Sequence, residues 1–225
     1  MRIVIVRHGE ILANVINKEG TVLYTGALNN ELTTLTELGK KQASYLAEKD
    51  IIKSIEKVYS SDLKRAIQTA ELAKPGYTLN LSKDLRERSL GEFEGKEIKD
   101  LRDLENYNKY FTDERFKNFR TSFINKAPKG ESYTDVCDRC KRFLDTLDFS
   151  EDTTIGIFSH FHTIRCLLLY LLKIEPKEKI FDIKISHCTP YIIEGNAIEE
   201  MKLVSHDGGI LWKTKIYIEQ KKLIW

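Results

Sequence analysis

Two short Ile/Val-rich runs each end on a histidine. Ile3-Val4-Ile5-Val6 runs into Arg7-His8-Gly9-Glu10, and Ile155-Gly156-Ile157-Phe158 runs into Ser159-His160-Phe161-His162. A neutral imidazole can attack phosphorus and form a covalent phosphohistidine. A third run, Glu56 to Ser60, stops at Ser60-Ser61-Asp62, and Arg65 follows in the first turn of a predicted helix. Guanidiniums such as those of Arg7 and Arg65 offer paired N–H donors that match phosphate oxygens. A helix N-terminus adds partial positive charge and free N–H groups. Two histidines and two arginines around one point would make a pocket for a phosphoryl group.

These side chains meet only if the three runs are neighbouring strands. In open α/β sheets, ligands bind at the carboxyl ends of the strands, so parallel pairing puts His8 and His160 on one rim. Helical patterns lie between the runs. Leu63, Ala66, Ile67 and Ala70 follow helical spacing after a Ser60-Ser61-Asp62 start. Val136, Cys140, Phe143, Leu144 and Leu147 predict a second helix, with Ser132 and Asp135 spaced like a capping box. Ile164 to Leu172 predicts a third. Strands are expected over Thr189 to Glu194, Ala197 to Val204 and Ile210 to Ile218. The fold class is therefore α/β, a three-layer α/β/α sandwich with a mostly parallel central sheet and helices on both faces. The late strands are expected to add hairpin or edge pairs.

Composition narrows the partners. The chain has 225 residues, with 36 Lys and Arg against 34 Asp and Glu. That balance argues against nucleic acid and leaves room for a small basic pocket. No linker or repeat divides the sequence, so 1–225 reads as one domain. The longest apolar run, Cys166 to Leu172, is far short of the about 20 residues a membrane helix needs. Arg7 interrupts the first apolar run before a signal sequence could form, so a cytoplasmic protein with no membrane partner is expected. Its four cysteines are then reduced. Cys137-x-x-Cys140 has the spacing of half a zinc site, but no second such pair follows, and both read as packing residues. His160-x-His162 has no acidic ligand motif beside it, so no metal is expected. His187 and His206 have no evident partner.

The sequence resembles the histidine phosphatase superfamily, also called phosphoglycerate-mutase-like. The resemblance rests on ordered blocks. They are Arg7-His8-Gly9-Glu10 with Asn14, then Leu32-Thr33, Gly39-x-x-Gln42-Ala43, and Ser60-Ser61-Asp62-Leu63-x-Arg65-Ala66-x-x-Thr69-Ala70. Leu85-x-Glu87-x-x-x-Gly91-x-x-Glu94-Gly95, Gly130-Glu131-Ser132 and Ser159-His160 complete them. The blocks span about residues 1–170. The resemblance implies a phosphoglycerate-mutase-like fold and a reaction that needs no metal or cofactor. It implies His8 as nucleophile, with Arg7, Arg65 and His160 holding the phosphoryl oxygens and Asn14 adding a neutral contact. Glu87 would be the general acid toward the leaving oxygen and then the base for water, so some desolvation of its carboxyl is expected.

Three positions depart from the family pattern. Ile11 stands where Ser or Thr is common, and Phe161 where Gly is common after the second histidine. Phe161 is thereby placed at the substrate pocket, and His162 beside it is within reach of substrate. Residues 96–129 carry nine Lys and Arg against six Asp and Glu, together with six aromatics. Two readings stand: a solvated helical excursion whose aromatics pack on the sheet, or a lid over the pocket, which the resemblance supports. In the lid reading Lys109, Arg115, Lys117 and Arg120 meet a second anionic group. The expected function is a metal-independent phosphatase acting on a small phosphorylated metabolite, as a monomer or homodimer. The alternatives are a phosphoglycerate mutase, and a non-catalytic module that binds a phospho-ligand on the same fold.

Overall fold

The computed structural model describes residues 1–206, so the strand expected over 210–218 lies outside them. Six strands form one mixed sheet: β1 (Arg2–Arg7), β2 (Lys57–Ser61), β3 (Leu79–Ser82), β4 (Thr154–Ser159), β5 (Tyr191–Glu194) and β6 (Lys202–His206). Their order is β3-β2-β4-β1-β5-β6. The pairs β2–β3, β2–β4 and β4–β1 are parallel. β5 runs antiparallel to both β1 and β6, the edge pairs expected for the tail. Arg7 pairs with Ser159, so the chains leave β1 and β4 side by side at His8 and His160.

The helices are α1 (Leu12–Lys18), α2 (Glu37–Leu46), α3 (Asp50–Lys53), α4 (Lys64–Ala73), α5 (Ile98–Asp103), α6 (Glu105–Thr112), α7 (Tyr133–Leu144) and α8 (Phe161–Leu171). The period of two along the strands sorts side chains into two cores. Ile3, Ile5, Ile155 and Ile157 pack with Val136, Phe143, Ile164 and Leu167 of α7 and α8. Val4, Val6, Val58 and Phe158 face the other way, onto Leu46, Ile52, Ala70 and Ala73 of α2, α3 and α4. Burial on both faces is why these strands read as unbroken Ile/Val runs. None of the helices among the described residues is long and apolar enough to cross a membrane.

Several elements differ from the sequence expectation. α8 begins at Phe161, three residues before the expected Ile164, with His160 as its N-cap. Phe161 and His162 interrupt the apolar pattern, which hid this first turn. α7 stops at Leu144, and Leu147 packs on the core from beyond it. Ser132 and Asp135 do form the expected capping box. α4 is capped less directly than expected: Ser61 Oγ accepts the Leu63 N–H at 3.2 Å, one turn ahead of the helix. The expected strand over Ala197 to Val204 is broken by a 3-10 turn at Ile198–Glu200, and β6 starts only at Lys202. α1, α2 and β3 gave no strong sequence signal. α2 buries Gly39, Ala43 and Leu46, two of which are too small to show as an apolar stripe. β3 is an edge strand with no buried residue.

The aromatics of residues 96–129 do not line the sheet as one reading had it. Tyr107, Tyr110, Phe111 and Phe119 gather around Phe93 and Tyr24 in a small core of their own. Phe123 alone turns into the main core, against Tyr133 and Phe181.

Candidate active site

His8 follows β1 directly, and its N–H donates to Ser159 O of β4 at 3.1 Å. Its ring Nδ1 lies 2.8 Å from Gly9 O. A carbonyl only accepts, so Nδ1 carries the proton and Nε2 keeps its lone pair. The ring sits between two others, with centroids 5.2 Å from His160 and 5.3 Å from His187. His187 Nδ1–H donates to the His8 carbonyl at 2.8 Å. Gly9 is fixed too: its N–H donates to Thr69 Oγ1 at 3.1 Å, and that hydroxyl donates to Arg65 O at 2.7 Å. A Cβ on Gly9 would stand 2.4 Å from Gly39 O, and one on Gly39 would stand 2.1 Å from Glu10 O. Only glycine at both positions lets α2 close on the loop after β1.

Both arginines are anchored by backbone carbonyls. Arg7 Nη1 donates to Ile185 O at 2.7 Å, and its guanidinium lies 5.2 Å from the Phe161 ring centre. Arg65 donates to Leu28 O at 2.7 Å and Gly26 O at 2.9 Å. The Nε atoms of both, and both ring nitrogens of His160, are buried without a hydrogen-bond partner. A buried donor left unpaired costs about 1–3 kcal/mol. His160 is neutral, so one of its ring nitrogens is an N–H and the other a lone pair; with the two arginine Nε–H groups that leaves three unpaired donors near His8, which an oxyanion would satisfy.

Glu87 is held from three sides. Its Oε1 accepts the Arg88 N–H at 2.8 Å and the His162 N–H at 3.1 Å. His162 Nδ1 lies 3.2 Å from the same oxygen, without hydrogen-bond alignment. The segment carrying Glu87 is pinned to the end of β4 and the first turn of α8. Ser159 Oγ donates to Leu85 O at 2.8 Å, and Thr163 Oγ1 donates to Arg86 O. Downstream, Gly91 takes φ 54, and a Cβ there would meet Pro128 O at 2.1 Å. That turn brings round Glu94, whose Oε1 accepts from Ala27 N, Leu90 N and Ser89 Oγ at 2.9, 2.8 and 3.1 Å. Glu94 thereby braces the loop whose carbonyls hold Arg65.

Burial and the neighbouring Arg65, His160 and Arg7 hold His8 well below the ordinary imidazole value, so it is neutral at pH 7. Burial and Arg65 do the same to His160. Burial and Arg7 bring His187 down to about 4. Burial brings Arg7 and Arg65 down to about 10, with Glu87 opposing the shift, and both stay charged at pH 7. Burial pushes Glu87 up, as its expected role asks. His162, His160 and the Arg88 N–H outweigh it, and the carboxyl lies well below the usual carboxylate range. The protonated acid expected from sequence is therefore not the form this arrangement favours.

The structure gathers Arg7, His8, Arg65, Glu87, His160 and Phe161 around one point. Asn14 Oδ1 accepts the Ile11 N–H at 3.1 Å. Of the four cations assigned to a second anion, Arg115 pairs with Asp113 and Lys117 with Glu114. Lys109 lies over Tyr110 and Phe116, and Arg120 lies 5.7 Å from the Tyr24 ring centre. Sequence reasoning set His187 aside because its partner His8 is 179 residues away. No local spacing signals such a pair. It also passed over the segment at 181–185, whose carbonyls hold Arg165 and Arg7.

A histidine flanked by the partly buried Arg7 and the buried Arg65 at the carboxyl edge of a largely parallel sheet defines an anion-handling class of α/β protein. Comparison with known proteins narrows it. A sequence profile of the histidine phosphatase superfamily (branch 1) matches residues 3–205, and the chain belongs to that family. Phosphoglycerate mutase-like protein 4 of Arabidopsis thaliana is 36% identical over 172 residues, 73% of this chain and 68% of that protein. The adenosylcobalamin/alpha-ribazole phosphatase of Salmonella typhimurium is 33% identical over 178 residues, 76% of this chain and 80% of that protein. Among solved structures, the alpha-ribazole phosphatase of Shigella flexneri superposes with a TM-score of 0.72 at 26% identity, covering 90% of this chain and 94% of that one.

Proposed function

We propose that the protein is a metal-independent phosphatase that hydrolyses a small phosphomonoester through a phosphohistidine on His8. The observation that carries this reading is the state of His8. Its Nδ1–H is spent on Gly9 O, which leaves the Nε2 lone pair free, and Arg65, His160 and Arg7, each with an unpartnered buried nitrogen, are its neighbours. In the first half-reaction Nε2 bonds to phosphorus, the ester P–O bond breaks, and the leaving oxygen takes one proton by way of Glu87. In the second, water bonds to phosphorus, the P–N bond breaks, and Glu87 takes one proton from that water. Arg7, Arg65 and His160 stabilise the charge on the oxygens throughout, and Asn14 adds an amide contact.

Residues 96–129 act as the lid over this pocket. Arg88 Nη1 donates to Phe119 O at 3.0 Å, which ties that segment to the residue after Glu87. The enzyme works in the cytoplasm on a soluble metabolite. The test is phosphate release from aryl phosphate, phosphoglycerates and sugar bisphosphates in excess chelator, with His8→Ala alongside. Release that survives chelator and disappears in His8→Ala is expected. Isomerisation of a phosphoglycerate without release would replace the reading with a mutase. Binding of phosphoesters without turnover would make the chain a binding module.

A further inference from the structure

Residue 162 meets Glu87 twice, through a hydrogen bond from its backbone N–H and through the close but unaligned Nδ1 of its imidazole. Both lie on Oε1, at 3.1 and 3.2 Å. Nδ1 is buried, whereas the side chain as a whole is 24% exposed. The ring thus spans from a buried carboxylate toward solvent. It is held edge-on by Tyr133 at 5.6 Å and by Phe161 at 5.2 Å. The charged and titratable groups facing it are Glu87 and Arg88, Tyr133 of α7, and Arg165 of α8.

This placement meets a difficulty in the proposed reaction. Glu87 must serve a proton to the leaving oxygen, yet two backbone N–H groups on Oε1 favour its anion. An incoming phosphoryl group brings negative charge into the same pocket, which favours proton uptake beside it. Nδ1 and Oε1 are already spaced to share that proton after a small turn of the ring.

We propose that His162 is a positioning residue for the acid proton: with substrate bound, His162 and Glu87 hold one proton between Nδ1 and Oε1, from which Glu87 serves the leaving oxygen. The proposal rests on the phosphohistidine reading. Its proton balance closes over a turnover. The pair gives one proton to the leaving group as the P–Nε2 bond forms on His8. It regains one from water as that bond breaks. Two groups sharing a proton titrate as one unit.

The experiment measures phosphoenzyme formation for the native protein, Glu87→Gln, His162→Gln and the double variant, with 4-nitrophenyl phosphate and glycerol phosphate. The nitrophenolate leaves without a proton, and its rate also reports that the site is folded. His162→Gln is expected to slow glycerol phosphate by about tenfold or more and to change the nitrophenyl ester by less than about twofold. In the Glu87→Gln background it should add nothing. Equal losses on both esters, a multiplicative loss in the double variant, or an unchanged glycerol phosphate rate would each overturn the proposal. If Glu87→Gln itself treats the two esters alike, Glu87 is not the acid, and the underlying reading fails at that point instead.

Discussion

A histidine nucleophile works from one tautomer, and here a single carbonyl selects it. Gly9 O takes Nδ1–H, so in the proposed reaction Nε2 is the attacking atom and no proton has to move first. Burial and the surrounding cations then keep the ring neutral well into acid. The sign follows directly: a lowered histidine pKa preserves the neutral, attacking form as pH falls. Phosphoenzyme formation from 4-nitrophenyl phosphate should therefore persist below pH 6. A loss centred near 6.5, the ordinary imidazole value, would show that His8 titrates freely. The two histidines and two arginines were legible in the sequence because each ends or follows an apolar run. His187 and His162 were not legible as partners. Their contacts, to His8 O and to Glu87, form only when distant segments meet.

At the scale of elements, the site is held by loops fastened to loops. Glu94 shows the device: one oxygen receives donors from Ala27, Ser89 and Leu90, joining the loop that anchors Arg65 to the turn after Glu87. Glu94→Ala would strand those donors at about 1–3 kcal/mol for each one left buried. The expected result is a lower urea midpoint together with weaker inhibition by inorganic phosphate, since Arg65 loses its brace. Unchanged phosphate inhibition would separate Glu94 from the arginine. The spacing Gly91-x-x-Glu94-Gly95 was visible in the sequence, but its meaning was not. It depends on a left-handed turn at Gly91 and on contact with Pro128. The strands at the centre of the sheet were legible because both faces are buried. α2 and β3 were not: one packs through small residues and the other lies at an edge.

At the scale of the whole molecule, neutral histidines, His8 and His160 buried and His162 and His187 half-buried, make stability depend on pH. His8, His160, His162 and His187 all lie below their ordinary value, with burial the largest cause in each. The unfolded chain binds more protons than the folded one below about pH 6.5, so folding is favoured above that value and weakened beneath it. Glu87, also lowered, contributes the same sign below the carboxylate range. The melting temperature should fall as pH drops from 7 to 5. A flat profile over that interval would mean that these rings already accept protons in the folded state.

The hydrogen bond from His187 to the carbonyl of His8 sets an order in time. All the ordered sequence blocks of the family lie within about residues 1–170, and a ribosome has translated them before it reaches His187. Up to then the growing chain has His8, both arginines, Glu87 and His160, but not the imidazole that seats His8, nor Ile185, whose carbonyl anchors Arg7. The chemistry is written early in the chain and armed late. On the proposed mechanism, synthesis thus withholds the seated histidine until β5 has closed beside β1.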